Sequence, residues 1–401
     1  NAISTVDGGG GTGQFATPQK VQAQQGASFM FSATHGITLW SVMGAQAIIK
    51  SFAVGADGGV TFSSGTLTLN INGQLNSHKF RYLTSTTVLF TANVWDPSNN
   101  QGDVVVITST SGSATPTQGS SVSLTATSSS VADMSLTRLS ATTFIAMWKV
   151  GSNYYGKHLT ISGTSISAGS TSGNLITVAG QKRTPAALNS GAALVFANGA
   201  GAGTMAIGHC TISGTTITKQ SDIALPGWPA LATPKNEQKI VQCTDTLAFM
   251  IYSQDGISDK RIYYRKITSS GATITVGSAV MLDADHYIHG EAFFDYDPVN
   301  KRILMVVDQL FGYNFATDAN TSFTEEGWIA FDVDTTAETL SVHSTGFSFW
   351  GGNFQVNHIT GSDGFTVSGY AAEASNQGFV IWKPSVTMSL GLGKIWNREN
   401  P

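Results

Sequence analysis

The chain has 401 residues, of which 41% are hydrophobic and only 11% charged, with a formal net charge of −4. A typical soluble domain carries about 25% charged residues, and here Ser, Thr, Gly and Asn fill the gap. With 21 Phe, 10 Tyr and 8 Trp the chain is too rich in aromatics to be disordered. It has no basic cluster beyond Lys260-Arg261 and Arg265-Lys266, which argues against nucleic acid, and no run of about 18 apolar residues that would insert into a membrane.

The first stretch, residues 1–27, holds the glycine run DGGGGTG (7–13). No helix follows it, so it reads as a flexible attachment arm rather than a phosphate loop, and it is a route to an oligomer. The start at Asn1, without Met, reads as a processed or truncated chain. The end, 391–401, reads as a tail.

Between them, residues 28–390 repeat. LTISGTSISAGST (159–171) is answered 51 positions later by CTISGTTITKQSD (210–222). The turn at Gly163 has relatives at Gly59, Gly112, Gly214 and Gly271, and weaker ones without Gly at Ala337 and Ser385. Each turn follows the same three segments. In the best copy an alternating strand, MSLTRLS, leads to an apolar strand, FIAMWKV, then to the loop GSNYYG (151–156) and the strand KHLTIS. Short strands rich in Val, Ile, Phe and Thr, punctuated by Gly, Asn and Ser, with no helical period, indicate an all-β chain. Four antiparallel strands per unit of about 50 residues is blade arithmetic, and seven turns predict a seven-bladed β-propeller. An open β-solenoid is the structural rival.

Such a strand order sorts the connections onto two faces. Short, uniform turns fall on one. On the other fall WDPSNNQGD (95–103), GSNYYG, SQDGISDK (253–260), the insertion 309–327, and the links LPGWPALATP, LDADHYIHGE and SFWGGN. Loops on a rigid scaffold are where binding concentrates. Their aromatics, suited to stacking on sugar rings or anchoring a protein partner, are the ligand-binding candidates: Trp95, Tyr154, Tyr155, Trp228, Tyr287, Tyr313, Phe315 and Trp350.

No catalytic residue is assigned. Asp283, Asp285, His286, His289 and Glu291 cluster in DADHYIHGE, but HxxH on a strand points its imidazoles to opposite faces and HExxH is absent, so no metal is assigned. WDPSNNQGD and YNFATDAN offer the oxygens that would suit calcium, yet neither matches the D-x-[DN]-x-[DN]-G loop. A hydrolase would need two of Asp255, Asp259, Asp283, Asp285, Glu291, Asp308, Glu325 and Glu326 at catalytic separation. The Asp-box of sialidase-like propellers and GxSxG are both absent. Cys210 and Cys243, the two cysteines, read as free buried thiols, with a single bridge as the alternative.

The unit of alternating strand, Thr-Thr, apolar strand, polar loop, strand and SGTxI, carried by Leu136–Thr164, Phe80–Gly112 and Ile240–Thr275, resembles propeller repeats of bacteriophage tail-fibre and other appendage proteins. WD40 and kelch signatures are missing. The resemblance implies a non-enzymatic virion or extracellular module. Its partners would be a host-surface glycan or receptor, or other virion structural proteins. A secreted carbohydrate-active hydrolase and a protein-docking scaffold are the alternatives.

Overall fold

Apolar runs that are too continuous for a half-exposed strand set the architecture. FIAMWKV (144–150) and LAFMIYS (247–253) have residues of both parities buried, so both faces of these strands are covered. The outer segments SISAGST and TITV are mostly exposed and rich in Ser, Thr and Gly. A sheet whose middle is apolar on both sides and whose edge is polar must be sandwiched between two neighbours, edge outward.

The computed structural model describes residues 5–382, apart from 9–10, 17–22, 43–46, 56–59, 70–73, 96–100, 125–130, 178–184, 200–204, 226–238, 254–260, 272, 284–285, 315–318, 321–324, 348–354, 360–364 and 372–375. Among the described residues every element is a β-strand. Six antiparallel blades of four strands each come from consecutive stretches of chain. The first blade is Ala23–Ser32, His35–Val42, Ala47–Val54 and an outer strand in two pieces, Val60–Phe62 and Leu67–Leu69. The second is Gln74–Thr84, Thr87–Trp95, Gln101–Thr108 and Thr117–Ser123. The third is Val131–Arg138, Thr143–Val150, Asn153–Ser162 and Ser165–Thr171 with Ile176–Thr177. The fourth is Ala186–Leu188, Ala193–Gly199, Met205–Ser213 and Thr216–Lys219 with Ile223–Ala224. The fifth is Lys239–Gln242, Leu247–Ser253, Ile262–Ser270 and Thr273–Val276 with Val280–Asp283. The sixth is His286–Asp297, Arg302–Asn314, Glu325–Asp334 and Thr339–Phe347.

The expectation of a seven-bladed propeller is corrected here: the chain forms six four-stranded blades, and the remaining sheet is a composite of its two ends. Gln355–His358, Phe365–Ala371 and Asn376–Trp382 come from the end of the chain, and Gly11–Ala16 and Thr5–Gly8 from its beginning. The joint pairs Gln14, Phe15 and Ala16 with Ile381, Val380 and Phe379. Part of the glycine run expected to be a flexible arm is therefore strand, with Gly8 paired to Gly11. The turn expected at Ser385 lies outside the described residues.

Apolar clusters lie between successive sheets, not within them. Phe29, Ile37 and Leu39 of the first blade meet Phe80, Val88 and Phe90 of the second. Leu89, Val104 and Val106 of the second meet Leu136, Phe144 and Trp148 of the third. The series continues through the fourth, fifth and sixth blades. The composite sheet closes it: Val356 and Phe365 pack on Leu304 and Val306 of the sixth blade, and Ile359 packs on Met30 and Phe52 of the first. Cys210 and Cys243 are both free and buried in this packing. Burial pushes the Cys210 thiol up to about 12, so it is unreactive at neutral pH.

The repeated turns have a conformational cause. Ser162 pairs with Ser165, Ser213 with Thr216 and Ser270 with Thr273, leaving two-residue loops that begin at Gly163, Gly214 and Gly271. Their φ values are 58°, 57° and 56°, at the loop position where a two-residue hairpin calls for Gly. Gly112 does a different job and is not in such a turn. Thr108 pairs with Thr117, and a Cβ on Gly112 would come 2.6 Å from the Ala53 backbone of the first blade. Ala337 also differs: Asp334 pairs with Thr339 across a four-residue loop, and the positive φ, 55°, falls on Glu338. Asp334 Oδ1 accepts the N–H groups of Thr336 and Ala337 and replaces the missing Gly with an Asx turn.

Two predictions follow from this packing. A Cβ at Gly163 meets nothing within 4 Å, so Gly163→Ala costs only its backbone conformation, about 1 kcal/mol. Gly112→Ala forces two blades apart and costs more, about 2–3 kcal/mol by analogy with overpacked cores; denaturant unfolding of both variants ranks them. The second concerns pH. Burial lowers the pKa of His35, His158 and His209, the last also through the charge of Lys219. Each binds its proton more readily unfolded, so stability is highest above the unfolded pKa of about 6.5 and falls as pH drops from there toward the lower folded values. The melting temperature drops between pH 7 and pH 5, and His158→Gln shallows that drop.

Candidate functional site

Because every blade runs antiparallel from its inner to its outer strand, the first and third turns of each blade share one end of the ring and the remaining connections share the other. The short-turn end is spent on holding blades together. His35 Nε2 and Ser51 Oγ both meet Ser109 Oγ of the second blade, at 2.7 and 2.6 Å. Ser120 of the second blade donates its backbone N–H and its Oγ–H to the Thr164 carbonyl, and its Oγ accepts from Ile166 N. A Cβ on Gly169 would lie 2.8 Å from Thr215, so the outer strand of the third blade stays bare where the turn of the fourth presses on it. Asn189 and Ser190 of the fourth blade bond Gly271 and Asp245 of the fifth. Lys266 of the fifth reaches Glu338 of the sixth at 2.8 Å.

Asp297 and His358 join the sixth blade to the composite sheet across 3.3 Å. Burial alone would raise the Asp297 pKa, but hydrogen bonds from His358 and Asn300 hold it down at about 2. These clasps commit the described side chains of the short-turn end to contacts between blades.

The long-connection end is the candidate site, and much of it lies outside the described residues. Trp228, Phe315 and Trp350 are among those. Trp95, Tyr287 and Tyr313 are not in loops as expected but on strands, opposite Gln74, Phe311 and Asn320; their side chains lie outside the described residues. The 309–327 insertion is partly strand, because Arg302–Asn314 runs on into it and Ala319–Asn320 pairs back on its end.

The two remaining candidates separate. The loop expected at GSNYYG is only the two residues Gly151 and Ser152, since Val150 pairs with Asn153. Tyr154 is thereby drawn into the third strand and fully buried among Ile145, Met147 and Leu175. Its role is packing, which corrects its reading as a surface contact. Tyr155 points the other way, is half-buried, and lies against Trp148 with ring centroids 6.2 Å apart and planes inclined by 30°.

The best-defined polar pair at this end comes from DADHYIHGE. Asp283 Oδ2 lies 2.9 Å from His286 Nδ1, while Asp283 Oδ1 accepts His286 N–H at 3.1 Å. Both carboxylate oxygens thus close the link between the fifth and sixth blades, a structural use of the pair. Among the described residues no three His, Cys, Asp or Glu side chains gather to hold a metal. Of the eight carboxylates a hydrolase would draw on, only Asp283 has a described side chain. Beside it, Val280 and Met281 expose apolar surface on an outer strand, with Arg261 donating to Met281 Sδ at 3.4 Å.

No family model and no curated protein matches the chain. Solved structures with a similar course exist at very low identity. A functionally unknown protein from Desulfotomaculum acetoxidans aligns over 84% of this chain and 96% of its own, at 11% identity and a TM-score of 0.49. A Bacteroides fragilis protein assigned provisionally as a 6-phosphogluconolactonase aligns over 85% and 92%, at 10% identity and 0.48. The NanB sialidase of Streptococcus pneumoniae aligns over 96% and 71%, at 12% identity and 0.45. At these scores the fold of this chain rests on its own strand pairing.

The split between the two tyrosines is testable. Tyr154→Ala removes a fully buried aromatic and lowers stability by about 3–5 kcal/mol. Tyr155→Ala costs about 1 kcal/mol or less, because its ring is already half in water. Denaturant unfolding compares them directly.

Proposed function

We propose that this propeller is a non-enzymatic binding module of the virion-appendage or adhesin type. Its long-connection end would engage a host-surface glycan or a neighbouring structural protein. The observation that carries this reading is the contrast between the two ends: the described turns of one end are engaged in hydrogen bonds between blades, while the half-buried Tyr155 and the insertion between Asn314 and Glu325 belong to the other. The low charge and the Ser/Thr-rich outer strands fit an exposed particle or extracellular surface and a neutral ligand such as a sugar. Individually weak contacts would gain strength from several copies on one particle.

A glycan array combined with product analysis on the same oligosaccharides tests the reading. The expected outcome is binding with substrate recovered intact, weakened at least about tenfold by Tyr155→Ala with no comparable loss of fold. Release of shortened sugars would establish the carbohydrate-active hydrolase instead. Silence on every glycan, with capture of one protein partner, would establish the docking scaffold.

A further inference from the structure

The core between the fourth and fifth blades contains a charge that no carboxylate among the described residues neutralises. Arg265 lies in RIYYRKI, where alternation puts Tyr263, Arg265 and Ile267 on one face of the strand. Its cross-strand partner is Met250. Met250, Tyr252 and Ile267 pack with Val195, Ile207 and Leu225 of the fourth blade, and Tyr263 packs at the edge of the same cluster. Arg265 itself is 0% exposed. Its Nε donates to the Tyr252 hydroxyl at 3.1 Å and its Nη1 to the Gly277 carbonyl at 3.2 Å. Nη2 is buried and has no acceptor.

A guanidinium cannot shed its proton inside a protein, and an unpaired buried ion costs several kcal/mol. Both acceptors of Arg265 are neutral, and no carboxylate among the described residues pairs with it. Asp222, the acid on the outer part of the fourth blade, is ion-paired to Lys219. The facing strand adds a second buried nitrogen to the same core. His209 sits opposite Val195, two residues after Ile207, and its Nε2 also has no partner. Trp148, His158 and His343 also carry buried ring nitrogens without a partner, but at Arg265 the unpartnered nitrogen belongs to a fixed cation.

We propose that the boundary between the fourth and fifth blades binds a small monovalent anion of the chloride class on Nη2 of Arg265. An anion supplies both the acceptor and the missing countercharge, whereas a water molecule supplies only the acceptor. The apolar surroundings of Ile207, Met250 and Ile267 favour a small, singly charged, weakly hydrated ion over sulfate or phosphate.

The test is thermal unfolding in sodium chloride or bromide against sodium gluconate at the same ionic strength, for the native chain and for Arg265→Met. An anion bound only by the folded state raises the melting temperature by about 3 °C at a hundredfold excess over its Kd for a chain of this size. That rise is expected in the native chain and absent in R265M. No rise in the native chain, or an equal rise in both, overturns the proposal. If R265M does not fold, bromide-soaked crystals of the native chain decide: an anomalous peak within hydrogen-bond reach of Nη2 supports the site, and no peak there overturns it.

Discussion

Each blade buries its two faces only against the blades beside it, and the rest of the structure depends on that. The second strands, such as Thr143–Val150 and Leu247–Ser253, are covered on both sides, and one side always belongs to the next sheet. A lone four-stranded sheet of this composition would leave Phe144, Trp148 and Leu159 in water on one face and Ile145, Met147 and Tyr154 on the other. At roughly 1.5–3 kcal/mol per large apolar side chain, no hydrogen bond within the sheet could offset that. A chain of such sheets is stable only if it has no end, and the composite sheet supplies the closure by pairing residues 14–16 with 379–381. Closing the circle this way also removes the first and last faces, which would otherwise be open to aggregation.

Closure has a consequence for where function can sit. Blades that must be held in register need polar clasps, and these fall at the short-turn end: the His35, Ser51 and Ser109 cluster, the Asn189, Ser190 and Asp245 bonds, and the Asp297 and His358 pair. Side chains fixed between blades are not free to meet a ligand. The opposite end carries clasps too, where Asp283 holds His286 and Ser253 accepts from Ile288, but its connections vary in length from the two residues at Gly151–Ser152 to the insertion after Asn314. A rigid ring with one committed end and one variable end is a scaffold on which recognition can change without disturbing the core.

The repeat was legible in the sequence because its turn is chemically constrained. Gly163, Gly214 and Gly271 sit where φ must be positive, so the same letters recur. Legibility failed where another device gave the same result. Asp334 makes an Asx turn in place of Gly, and Gly112 is required by the nearness of Ala53 rather than by a hairpin. The three strands that the chain's end gives to the composite sheet fell within the repeat, but no period could show that its remaining strands come from the chain's beginning. The Gly-rich hairpin that begins it looked like a linker, although glycine beside glycine is also a turn signal. In the candidate site the aromatics were found by residue type, which does not tell Tyr154 from Tyr155. One residue of register decides which ring packs inward and which lies half in water. Arg265 was visible as a basic residue but not as a buried one, because its burial depends on the face that the fourth blade covers.

Mutual dependence among the blades is the claim most open to direct measurement. Native-state hydrogen exchange would be followed at amides in the second strand of each of the six blades, for example at Leu39, Leu89, Met147, Phe196, Met250 and Met305. These amides are expected to share one opening free energy, equal to that of global unfolding, because no blade can leave the ring without uncovering its neighbours. Exchange from one blade at a distinctly lower free energy, with the others still protected, would contradict it.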